Sequence, residues 1–89
     1  MNDSRLDQVE QTLAEAQAEP DTAKRLGLVE FAIEEWGEFA DEFPATDMVI
    51  AVVTRRLDGA AKQLKADQTR IAGMSLQIAR SAVSAVKQR

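Results

Sequence analysis

Eighty-nine residues supply one domain with room for one modest core. The absence of cysteine and histidine removes disulfide staples, thiol chemistry, the commonest general base and the commonest metal ligand. The net charge of −4 is unevenly divided: residues 1–44 carry 3 basic and 12 acidic side chains, residues 45–89 carry 8 basic and 3 acidic. An acidic N-terminal helix and a basic C-terminal one therefore complement each other, within a chain or between chains.

Two prolines, four glycines and no tyrosine argue against a sheet, whereas the alanine, glutamine, glutamate and leucine that fill the chain lose little entropy in a helix. The fold class predicted is all-α, in a single domain over residues 1–89. The N-terminus (MNDSRLDQ) lacks the apolar run of a signal peptide, and the longest apolar stretch, Met48 to Val53, is too short for a bilayer. A cytoplasmic setting with no membrane span is the expectation.

The first helix starts at or just before Ser4, where Asp3 and Ser4 offer capping oxygens, and ends near Glu19 because Pro20 cannot continue it. Leu6, Val9, Leu13 and Ala16 form a thin apolar stripe that must pack on something. Asp21 or Thr22 caps a second helix reaching about Phe43, before Pro44. Its apolar positions (Leu26, Val29, Ile33, Trp36, Ala40, Phe43, widened by Leu28, Ala32 and Phe39) cover an arc of roughly 160°, enough for two neighbours. Trp36, Phe39 and Phe43 are assigned to the core. Phe31 falls outside the arc, beside Glu35 and Glu38, and is the best single candidate for a contact residue.

Thr46 or Asp47 caps the third element. Ile50, Val53, Leu57, Ala60, Leu64, Asp67, Ile71, Met74 and Ile78 alternate steps of three and four, the repeat of a helix held in a seam. Unbroken from Asp47 to Lys87, this helix would reach about 60 Å. No glycine or proline interrupts Lys65–Arg70, so one long C-terminal helix in a hairpin or three-helix bundle is the favoured arrangement. The alternative is a four-helix bundle in which the last helix breaks near Asp67. Asp67 itself either fixes the register of the seam or marks the place where it frays. A second stripe (Ala72, Leu76, Ala79, Val83, Val86) runs beside the first and makes this end two-sided.

Glu34-Glu35-Trp36-Gly37-Glu38 resembles the EExxE half of the MazG-type nucleotide pyrophosphohydrolases, and Thr46 to Val53 is similar to the helix carrying that family's ExxD half. The resemblance covers about a third of the chain. It implies an all-helical, Mg²⁺-dependent hydrolase in which Glu34, Glu35, Glu38 and Asp47 hold the metal. The second half departs from the family pattern: the glutamate expected three residues before the aspartate is Pro44 if Asp47 is the match, or Arg55 if Asp58 is.

The reading favoured by the residues themselves is a non-enzymatic interaction module, a small adaptor, regulator or inhibitor, with no cofactor and no metal. Leu57, Leu64, Ile71, Met74 and Ile78 form its seam, with Phe31 and Leu76 as outward contacts. The partner expected is a helical protein, in the first place a second copy in a two-fold homodimer. The divergent hydrolase stands second. Nucleic-acid binding through the basic C-terminal helix stands third, because the whole chain is acidic and its basic end has no aromatic residue.

Overall fold

Four helices account for almost all of the chain in a computed structural model that describes residues 2–89. They are α1 (Ser4–Ala18), α2 (Thr22–Ala40), α3 (Met48–Lys65) and α4 (Thr69–Lys87). Each of the first three starts on an aspartate whose carboxylate accepts a free backbone N–H. Asp3 accepts from Arg5 N at 2.9 Å, Asp21 from Lys24 N at 3.0 Å and Asp47 from Ile50 N at 3.2 Å. Connections of three, seven and three residues leave consecutive helices no choice but to run antiparallel. α1 packs on α2 and α4, and α3 packs on α2 and α4, so the helices form a ring of four in chain order.

The single long C-terminal helix is not found; the chain adopts the four-helix alternative. The break is a Schellman turn. Gln68 N–H donates to Gln63 O at 2.8 Å and Asp67 N–H to Leu64 O at 3.1 Å, while Asp67 takes φ 61°. A short polar side chain tolerates that left-handed backbone where a branched one would not. Asp67 is therefore a helix stop and not a register residue in a seam. α4 then begins on Gln68 with no side-chain cap, because the turn itself sets its start.

Breaking here reorients α4 against the seam predicted for it. Ile50, Val53, Leu57, Ala60 and Leu64 of α3 are buried, as their spacing requires. Beyond the turn the second stripe takes over: Ala72, Leu76, Ala79, Val83 and Val86 enter the core. Leu76, expected as an outward contact, is fully buried. Leu57 and Leu64 pack inside the same chain instead of lining a seam with a partner. Small residues at Ala60, Ala61, Ala72 and Ala79 let α3 and α4 approach closely, and buried Ser75 donates across them to Gln63 Oε1 at 2.8 Å.

The aromatic core sits at the other side of the ring. Trp36 and Phe39 have ring centroids 5.3 Å apart, Phe39 and Phe43 4.9 Å, and the Arg5 guanidinium lies 5.3 Å above the Phe39 ring. The buried Trp36 N–H donates to Thr54 Oγ1 at 2.9 Å. Each large core side chain contributes about 1.5–3 kcal/mol by leaving water.

Candidate interaction surface

Apolar side chains left outside the core concentrate on α4. Ile71, Met74 and Ile78 are 47%, 61% and 38% exposed. Their spacing of three and four puts them on one face, about 10 Å from first to last. Ala82 and Ala85 extend the same line. Beside it on α3 runs a second line at the same spacing: Val49, Val52, Arg56, Gly59 and Gln63. Gln63 is the residue that bonds Ser75, so this line borders α4 directly. The two together make an apolar side of the bundle broken by one cation and one amide.

Two unpaired cations flank that side, Arg56 within the α3 line and Arg70 next to Ile71, whereas Arg55 lines the α2/α3 side with Asp41 and Asp58. Arg55, Arg56, Lys62 and Arg70 are exposed and make no ion pair or side-chain hydrogen bond among the described residues. The other cations of α3 and α4 are engaged elsewhere. Lys87 meets Asp7 and Glu10 of α1 at 2.7 and 2.9 Å, Arg80 bonds Gln17, and Lys65 lies 3.9 Å from Glu30. α4 contains no acidic residue at all.

Phe31 lies on the outer surface of α2, 53% exposed, where the helical period put it. Glu34, Glu35 and Glu38 stand three, four and seven residues on, hence around it. Glu35 accepts from the Thr12 hydroxyl of α1 at 2.7 Å, so this face of α2 leans toward α1. Glu34 and Glu38, with Glu15 of α1, have no ion-pair partner among the described residues. α2 and α4 are diagonal in the ring. The acidic face bearing Phe31 and the basic face bearing the stripe therefore point in opposite directions.

The four carboxylates that the MazG resemblance singles out do not converge. Glu35 is tied to Thr12, and Glu38 and Glu34 face outward on α2. Asp47 caps α3 while holding Arg89, whose Nη1 and Nη2 each lie 2.8 Å from one of its oxygens. That bidentate pair is the main reason its carboxyl titrates at about 2, with the backbone N–H of Ile50 adding to it. Among the described residues no three carboxylates gather where they could hold a metal ion. No helix there is long and apolar enough to cross a membrane.

Exposed Met48, 72% accessible at the start of α3, is not singled out by its spacing; it stands one turn before Val52 of the α3 line. Comparison with family models, with curated proteins and with solved structures finds no match for this chain.

Proposed function

We propose that this protein is a non-enzymatic interaction module that engages a helical protein surface through the outer side of α4. The observation that carries the reading is the exposed line Ile71, Met74 and Ile78. A contiguous apolar patch of this kind on a small bundle costs solubility and is normally kept for a partner. Its period suits the apolar stripe of another helix, laid alongside it.

A cytoplasmic adaptor or regulator, including one that pairs with its own kind, fits this reading. The test is differential capture from the native host with tagged wild type and tagged Ile78→Asp. The variant should keep its helix content and melting temperature, because the side chain is on the surface, and should lose the proteins held by the wild type. Identical captured sets would contradict the reading. So would Mg²⁺-dependent hydrolysis of nucleoside triphosphates that disappears in Glu38→Gln.

A further inference from the structure

We infer that the occupant of the α4 side is the acidic α1/α2 side of a second copy, with Phe31 as its apolar anchor, so that copies join head to tail. This rests on the α4 stripe being an interface and adds what covers it.

Charge decides between the ways two copies can meet. If the α4 side packed on itself about a two-fold axis, Arg56 and Arg70 of one copy would face the same two cations of the other. None of these four is ion-paired within its own chain. Desolvating like charges against each other opposes association. The opposite side of the bundle supplies the complement. Glu15, Glu34 and Glu38 are equally unpaired, and Phe31 stands among them. One face offers an apolar line flanked by two cations, the other an aromatic flanked by carboxylates.

The dimensions agree with a weak but specific contact. The bundle is 33 Å long and 23 by 18 Å across. One whole side is therefore comparable to, and somewhat below, the ~800 Å² each partner contributes to a standard interface. Because the two faces point in opposite directions, a pair that uses one of each leaves one of each free. Association is then open-ended or closes into a ring, and does not stop at two. The two-fold dimer expected from the sequence is to cover whichever of Ile71, Met74, Leu76, Ile78, Val83 and Val86 an extended monomer leaves exposed. Leu76, Val83 and Val86 are buried in the chain's own core while Ile71, Met74 and Ile78 stay exposed, so a smaller patch is left to cover and charge selects the face that covers it.

Sedimentation velocity on wild type, Phe31→Ser and Met74→Asp tests the inference, because both side chains are exposed and neither change disturbs the core. Wild type should grow past dimer as concentration rises from about 10 μM to about 1 mM. Raising salt from about 50 to about 500 mM should reduce that growth, since the contact is between opposite charges. Each variant alone should associate at least about tenfold more weakly. An equimolar mixture of the two should form a 1:1 complex and nothing larger, because one intact face remains on each.

An association that stops at dimer, strengthens with salt and ignores Phe31→Ser would overturn the inference while leaving the α4 stripe as the interface. Wild type that stays monomeric throughout, whether or not it takes up phosphatidylserine vesicles or duplex DNA, would also overturn it. The host-capture comparison then decides the proposed function separately.

Discussion

Leu76 is completely buried while Met74, two residues earlier on the same helix, is mostly exposed. That pair defines which way α4 faces. Leu76→Ala should cost about 2–5 kcal/mol, the loss of transferred apolar surface plus a cavity. Met74→Ala should change stability by about 0.5 kcal/mol or less. Chemical denaturation of both variants checks this, and equal costs would mean that α4 is rotated from the orientation described.

The turn at Asp67 makes a prediction of opposite signs. Its φ of 61° is open to glycine and hostile to a β-branched side chain. Asp67→Gly should be neutral or raise the melting temperature by a few degrees. Asp67→Val should lower stability by about 1–2 kcal/mol. Thermal melts followed by circular dichroism distinguish the two.

Trp36 is the sole tryptophan, so its surroundings can be read by fluorescence. Thr54→Val keeps the shape of the side chain but leaves the buried indole N–H without its acceptor. The cost should be about 1–2 kcal/mol. Emission should shift with it, since the indole loses the one hydrogen bond it donates.

Asp47 and Arg89 give the fold an acid-sensitive clasp. The Asp47 carboxyl titrates at about 2 instead of its ordinary 3.8, so between those values the unfolded chain binds the proton more readily than the folded one. The contribution is complete above the ordinary value and disappears as pH falls through about 2. Asp3 and Glu42, both lowered by hydrogen bonds from Arg5, act in the same direction. Urea midpoints should therefore fall from about pH 5 to about pH 2. In Asp47→Asn that fall should be shallower, because one of the groups responsible no longer titrates.

How much of this was legible in the sequence differs from element to element. The first three helix starts are readable to within one residue, because an oxygen-bearing side chain before an apolar period has one obvious use. Which of Asp3 or Ser4, Asp21 or Thr22, Thr46 or Asp47 caps is decided by the structure, in favour of the aspartate each time. The burial of Trp36 and Phe39 followed from the width of the α2 arc, and the exposure of Phe31 from its position outside it. The break at Asp67 is hard to see because helix stops are most visible as glycine or proline, and here an aspartate supplies the left-handed residue. The consequence spread along α4: two stripes were written side by side, and only the rotation imposed by the turn decides which one enters the core. The opposed acidic and basic faces were readable only as a division between halves of the chain. Their outward placement needs the ring order of the helices and knowledge of which charges are already paired.

The most direct measurement is a concentration series of methyl and aromatic NMR spectra on the unmodified protein, from about 20 μM to about 1 mM. The Ile71, Met74 and Ile78 methyl signals should shift and broaden together with the Phe31 ring signals, while those of Leu57, Leu64 and Leu76 stay fixed. Stripe signals that remain unchanged throughout, or core signals that move with them, would contradict the assignment of these two faces as one interface.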